Sequence, residues 1–81
     1  MANPFDSHHE KLRELLRQAR TEAGLRQADL AARLNRPQSF VSKYESGERQ
    51  LDVVELWEIC SAVGIPFSDF ARRFEDAVRD A

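Results

Sequence analysis

The residues best suited to chemistry are an amide, two hydroxyls and an amine on one side of a short helical pattern. They are Gln38, Ser39, Ser42 and Lys43, and the apolar side chains of Val41 and Tyr44 fall on the other side. Such donors and acceptors match the groups that DNA base edges expose in the major groove. A solvated polar face is the alternative, so the pattern favours base reading without requiring it.

Two helical patterns separated by a tight break must position these side chains. The first begins at Gln27 and has apolar residues at Ala28, Leu30, Ala31 and Leu34; the second covers about 38–46. Asn35 can adopt the left-handed conformation that ends a helix, and Pro37 fits the first turn of the next. Ala31 is small where the helices would touch. A turn of about three to four residues between them is typical of a helix–turn–helix unit.

Three further helices complete the prediction. The first runs from Asp6 or Ser7 to about Ala23, the fourth covers about 53–63, and the fifth begins at Pro66. Gly24, Gly47 and Gly64 end the first, third and fourth. No alternating strand pattern occurs. We therefore predict a compact all-α, five-helix domain over 7–81 with an extended C-terminal helix, preceded by a flexible arm at 1–6.

Apolar spacing predicts the inward faces. On the fourth helix the apolar set is Val53, Leu56, Trp57, Ile59, Cys60 and Val63. Because Cys60 is the single cysteine, we interpret it as a reduced core thiol. Trp57 is assigned to the core or to an interface. Phe40 has two interpretations, contact with a thymine methyl or packing at the core edge, and packing is favoured.

The charge is divided along the chain. The net charge is −2, yet residues 10–50 hold nine cations against six anions, whereas residues 51–81 hold three cations against seven anions. A positive half would face phosphate and a negative half would face solvent or a partner. The modest positive excess predicts weak, salt-dependent non-specific DNA binding.

Other classes of protein have little support. The chain has no Ser/His/Asp set, phosphate-binding glycine loop or CxxC motif, so we expect no enzyme activity and no cofactor. His8 and His9 beside Glu10 lack further ligands at fixed spacing, so no metal site is predicted. Neither an apolar signal region nor a run of about 18 apolar residues occurs, so the expected location is cytoplasmic, without a membrane.

The run GLRQADLAARL followed by PQSFVSKYESGER resembles the Cro/lambda-repressor-type (Xre-like) family of helix–turn–helix regulators. The combination of Gly-Leu-x-Gln-x-x-Leu-Ala with Ser-basic-aromatic-Glu-x-Gly carries the likeness, which spans roughly residues 10–70. The resemblance implies a lambda-repressor-like five-helix fold whose helices 2 and 3 form the helix–turn–helix. It also implies sequence-specific binding of double-stranded DNA, usually in transcriptional control.

The resemblance also implies roles for individual residues. Gln38, Ser39 and Lys43 match base-contacting positions, with Ser42 near a base edge or phosphate. Gln27 and Arg49 match phosphate-contacting positions, and Gln27 would also brace the recognition helix. Arg20 and Glu45 match a salt bridge between helices one and three. Arg26 replaces a common Ser/Thr cap, so we expect that the cap is lost and that Arg26 reaches phosphate; Arg36 is a further phosphate candidate.

The aromatic stripe of the C-terminal helix has two interpretations. The stripe either completes the core or, with the preceding turn, forms a two-fold dimer contact; the candidate residues are Ile65, Phe67, Phe70 and Phe74. Dimerisation would place two recognition helices one DNA turn apart, so we expect a homodimer on a palindromic operator. We expect repression as its output, because the 81 residues leave no room for a ligand-sensing or activation domain. The alternative is an antitoxin or interaction module whose acidic, Phe-rich C-terminal helix binds a partner protein.

Overall fold

Five α-helices connected by short turns build the domain. In the computed structural model, which describes residues 6–80, they are α1 (Asp6–Glu22), α2 (Gln27–Arg33), α3 (Gln38–Ser46), α4 (Val53–Val63) and α5 (Phe67–Arg79). The described residues contain no strand, which confirms the predicted all-α class. No helix among residues 6–80 combines the length and apolarity needed to cross a membrane.

Residues with a left-handed backbone end the helices as predicted. Asn35 has a φ of 55° directly after α2, and Gly47 and Gly64 have φ values of 90° and 84° after α3 and α4. At the other end of α4, Glu55 N donates to Asp52 Oδ1 and Asp52 N donates to Glu55 Oε1, forming a reciprocal cap. Helix boundaries are therefore fixed by local residues.

The predicted N-terminal arm is one residue too long. Of the two predicted starts of the first helix, Asp6 and Ser7, the structure shows Asp6, which therefore belongs to α1 and not to the arm. An acidic side chain in a first helical turn is favoured because it faces the positive end of the helix dipole. Residues 1–5 of the arm lie outside the described part of the chain.

One continuous core joins all five helices. Leu16 of α1, Leu30 of α2, Val41 of α3, Ile59 of α4 and Phe70 of α5 are all buried within it. Ala31 is also buried, at the place where α2 packs against α3. Cys60 lies in this core as a free thiol, and burial raises its pKa to about 11, which keeps it protonated.

The predicted inward face of α4 is wrong at Val53, and for Trp57 the structure excludes the core and leaves an interface as the remaining assignment. Val53 is 65% exposed and Trp57 is 55% exposed, whereas Ile59 and Cys60 are buried. At about 100° per residue, Val53 and Trp57 lie to one side of the stripe through Ile59 and Val63 that packs against α2 and α5. The apolar face that periodicity predicted for α4 is therefore wider than the area that α2 and α5 cover.

The central residue of the aromatic stripe of α5 packs in the core of the same chain. Phe70 is 2% exposed and belongs to the core, so its assignment as a dimer contact is wrong. Ile65 and Phe67 are half-buried against the same core, and Phe74 is half-buried further along the helix. The stripe therefore divides into a buried centre and a partly exposed flank.

The structure predicts that Tyr44→Phe stabilises the domain. Tyr44 is 1% exposed, and its hydroxyl has no hydrogen-bond partner among residues 6–80. A buried hydroxyl without a partner costs about 1–3 kcal/mol, so removing it should raise the free energy of unfolding by about 1 kcal/mol. Urea denaturation of both proteins measures the change. A lower free energy of unfolding for Tyr44→Phe would contradict the prediction.

Candidate nucleic-acid interface

The outer face of α3 presents three of the four predicted base-reading side chains. Gln38 and Ser39 are exposed in the first turn of α3, and Lys43 is exposed one turn later. On the opposite side, Val41 and Tyr44 are fully buried in the core. The helix thus has one face committed to the protein and another composed of an amide, a hydroxyl and an amine.

Ser42 differs from the other three candidates. It is half-buried, and its hydroxyl donates to the backbone oxygen of Ser39 over 3.3 Å. A serine hydroxyl in a helix commonly bonds back to the preceding turn in this way. Its oxygen lone pairs remain as acceptors, but its proton is directed at its own helix.

A buried carboxylate braces α3 against α1 and α2. Arg20 Nε and Nη2 donate to Glu45 Oε2 and Oε1 over 2.7 and 3.0 Å, and Gln27 Nε2 donates to Oε1 over 3.1 Å. Arg20 Nη1 also donates to the Leu25 carbonyl. The hydrogen bonds to Glu45 raise the pKa of Arg20. Arg20 and Glu45 form the expected ion pair, and Gln27 contacts α3 through its hydrogen bond to Glu45.

The second buried carboxylate, that of Glu55 on α4, binds the two arginines that flank α3. Arg49 donates from Nη1 to Glu55 Oε1 over 3.0 Å and from Nη2 to Oε2 over 2.8 Å, and Arg36 Nη1 donates to Oε2 over 3.4 Å. The bonds from Arg49, followed by the Asp52 backbone amide, lower the pKa of Glu55 to about 2. Two of the three predicted phosphate-contacting arginines, Arg36 and Arg49, therefore share one protein partner.

Phe40 is part of this arrangement rather than an exposed reader of thymine. It is 7% exposed, and its ring packs edge-on against Tyr44 with 5.5 Å between centroids. The Cζ atoms of Arg36 and Arg49 lie over the same ring, 4.3 and 4.8 Å from its centroid. A guanidinium at this distance from a ring is attracted by the ring's negative face. Of the two interpretations of Phe40, the structure shows packing.

A shallow cleft opens where these side chains meet the polar face of α3. Its volume is about 250 Å³, and its lining residues are Arg36, Pro37, Ser39, Phe40, Lys43 and Arg49. Three of these residues carry a positive charge. Because the cleft borders the outward face of α3, an anion held there would lie beside whatever α3 contacts.

Arg26 precedes α2 without capping it through its side chain, and Asp29 provides a partial substitute. Its backbone N donates to Asp29 Oδ2 over 2.9 Å, so the first turn of α2 supplies half of a capping box. The Arg26 side chain pairs with the same carboxylate through Nε and Nη2. The expected loss of the side-chain cap is confirmed, because the Arg26 side chain accepts no hydrogen bond from the first turn of α2.

Sequence reasoning missed the role of Glu55 beyond capping α4. The available signal was an acid in the first turn of α4 soon after Arg49. Arg36, however, lies 19 residues earlier and reaches the same carboxylate only through the tertiary fold.

Comparisons with known proteins agree with this geometry. The sequence profile described as helix-turn-helix matches residues 16–70. A solved structure of an XRE-family-like protein from Pseudomonas syringae pv. tomato strain DC3000 is similar, with 43% sequence identity and a TM-score of 0.84. The similarity covers 89% of this chain and 88% of that chain. No curated protein matches the sequence.

The lowered pKa of Glu55 predicts a pH-dependent contribution to stability. Because its folded pKa is about 2 against an ordinary 4.5, Glu55 stabilises the fold above about pH 4.5 and loses this effect as pH falls through 2. The wild type should therefore exceed Glu55→Gln in free energy of unfolding at pH 7, and the gap should shrink as the pH falls towards 2. Urea denaturation across this range measures the gap.

Glu48→Gln is the matched control for that measurement. Glu48 is exposed and accepts a hydrogen bond from Ser46 Oγ. Glu48→Gln should show the same change in free energy of unfolding between pH 4.5 and 2 as the wild type. Parallel stability curves for wild type and Glu55→Gln would contradict the assignment of this dependence to Glu55.

Proposed function

The chain belongs to the Xre-like helix–turn–helix family of DNA-binding regulators, and we propose that it acts as a repressor that binds a palindromic operator as a homodimer. The observation that carries the proposal is the outward polar face of α3. This helix is held on one side by Glu45 and bordered on the other by Arg36, Phe40, Arg49 and Glu55, which we call the Glu55 cluster. In this mechanism, occupancy of the operator prevents transcription.

In the proposed division of labour, α3 reads the bases. Gln38 is suited to the N6 and N7 edge of adenine, Lys43 to the O6 and N7 edge of guanine, and Ser39 accepts several partners. Ser42 contributes an acceptor beside them. A rigid helix favours such reading because the side chains need less ordering on binding, and the burial of Val41 and Tyr44 supplies that rigidity.

Phosphate contacts set the register of α3 on the duplex. The candidates are Gln27, Arg26, Arg36 and Arg49. Arg26 is largely exposed, and Arg36 and Arg49 are partly exposed beside the α3 cleft. Phosphate contacts orient the protein but carry no sequence information themselves, so their loss should weaken binding to all sequences.

Lys43→Ala and Arg49→Ala should separate these two roles. Selection of bound DNA from a random pool defines the operator, and titrations at two salt concentrations then measure affinity. Lys43→Ala should weaken operator binding by about tenfold or more and relax base preference, because a lost bidentate contact costs about 1–3 kcal/mol of discrimination. Arg49→Ala should weaken all sequences similarly and reduce the salt slope by about 1. Equal losses on every sequence for both variants would contradict the division, and a selection without an enriched motif would contradict specific reading.

A homodimer fits the dimensions of the domain. The domain measures 35 × 27 × 21 Å, and two copies of this size can be arranged about a two-fold axis with their α3 helices about one DNA turn, or ~34 Å, apart. The proposed contact uses the partly exposed residues Ile65, Phe67 and Phe74, with the buried Phe70 excluded. The same flank of α5 is the surface that a partner protein would use in the antitoxin alternative.

Phe74→Ser tests the dimer contact. Phe74 is half-buried and lies outside the core cluster, so its replacement should leave the fold intact while removing apolar contact area between copies. Sedimentation equilibrium should show a shift towards monomer, and operator binding should weaken because two linked half-sites become one. Arg72→Ser, an exposed change on the same helix, is the control and should remain dimeric. An unchanged dimer in Phe74→Ser would exclude this contact.

A further inference from the structure

The Glu55 cluster joins four segments that meet at one edge of α3. Arg36 lies in the α2–α3 turn, Phe40 on α3, Arg49 in the α3–α4 loop and Glu55 in the first turn of α4. The carboxylate of Glu55 accepts three hydrogen bonds from the two guanidiniums and one from the Asp52 backbone. Both guanidiniums therefore share the Glu55 carboxylate, although Arg49 Nη1 also donates to the Gln50 carbonyl over 3.2 Å and Arg36 Nη2 lies 4.0 Å from Glu58 Oε1.

The arginines are held without being enclosed. Glu55 is 9% exposed, whereas the side chains of Arg36 and Arg49 are 36% and 39% exposed. Arg49 uses its two terminal nitrogens on Glu55, so its Nε–H is not among the donors to that carboxylate. Arginine has five N–H donors in a planar fork, and one fork can bridge a carboxylate and a phosphate. The geometry leaves capacity for a second anion.

We propose that Glu55 is a positioning residue, which holds Arg36 and Arg49 over Phe40 so that their cleft with Lys43 and Ser39 receives one DNA phosphate. This inference rests on the proposed function, because the phosphate belongs to the operator backbone. A free arginine loses side-chain conformational freedom when it is ordered. The ion pairs and the ring contact order both guanidiniums before DNA arrives, which lowers the cost of binding.

The cluster also fixes where that phosphate lies relative to the bases. Phe40 is on α3 between Ser39 and Val41, so guanidiniums stacked on its ring move with the recognition helix. Lys43 lines the same cleft and belongs to the proposed base-reading set. A phosphate in the cleft would therefore set the distance between the DNA backbone and the base-reading face.

Glu55→Gln distinguishes positioning from simple electrostatics because the two predict opposite signs. Removing a negative charge beside a phosphate should tighten DNA binding if charge alone matters. If Glu55 positions the arginines, the neutral amide holds them less firmly, and operator affinity should fall by about five- to tenfold. Fluorescence anisotropy titration with the selected operator duplex at fixed salt measures the change. Glu48→Gln removes the same charge from the α3–α4 loop and should bind at least as tightly as wild type.

A double-mutant cycle separates positioning from a structural role of Glu55 in capping α4. In the Arg36→Ala/Arg49→Ala background, Glu55→Gln should change operator affinity by less than twofold, because the groups it positions are absent. A structural role would weaken binding in both backgrounds. Circular dichroism melts set a temperature at which every variant is folded. If Glu55→Gln does not fold, Phe40→Leu, which keeps an apolar side chain but removes the ring, is expected to show the same loss and the same dependence on the arginines.

The outcomes are distinct. Operator binding by Glu55→Gln as tight as wild type, or tighter, overturns the positioning role and leaves the proposed function intact. A loss that persists without the arginines, in Glu55→Gln or in Phe40→Leu, does the same. Failure of the wild type to bind any duplex overturns the proposed function and this inference with it.

Discussion

A carboxylate taken out of water must be paired, and this small domain buries two of them, one at each side of its outward-facing helix. Glu45 is paired by Arg20 and Gln27, and Glu55 by Arg49 and Arg36. Removing one partner of a buried pair is costly, whereas the complete pair contributes little net stability. The pairs therefore act mainly to specify the position of α3, since each requires the segments around it to meet in one arrangement.

The two pairs connect α3 to different parts of the chain. Glu45 ties it to α1 and to the start of α2, and the Glu55 cluster ties it to the turn before it and the loop after it. Between them, Val41 and Tyr44 supply the apolar attachment. A helix of nine residues is too short to be stable alone, so these contacts determine its orientation and rigidity. Because these contacts hold α3 from its inner side, its polar face is directed towards solvent.

The success of the sequence predictions follows from which features are local. Asn35, Gly47 and Gly64 adopt left-handed conformations and end their helices as predicted, and the reciprocal cap at the start of α4 joins residues only three positions apart, Asp52 and Glu55. Long-range environment was predicted less well. Trp57 is exposed and Phe70 is buried, although both lie on helical apolar patterns, because periodicity does not say how much of a face the neighbouring helices cover.

The sequence by itself determined the helices, their breaks and the polar composition of the α3 face, because each depends on residues within one or two turns of one another. It also carried the family resemblance, which depends on residue types at fixed spacing along the chain and needs no distances between segments. The tertiary structure alone decided that Arg36 and Arg49 meet at Glu55, whereas the Arg20–Glu45 pair was expected from the family resemblance. Arg36 and Arg49 are cations on a positive half of the chain when read as sequence, and in the fold they share one carboxylate and one aromatic ring. Their chemistry depends on distances between segments up to 19 residues apart, which local spacing does not encode.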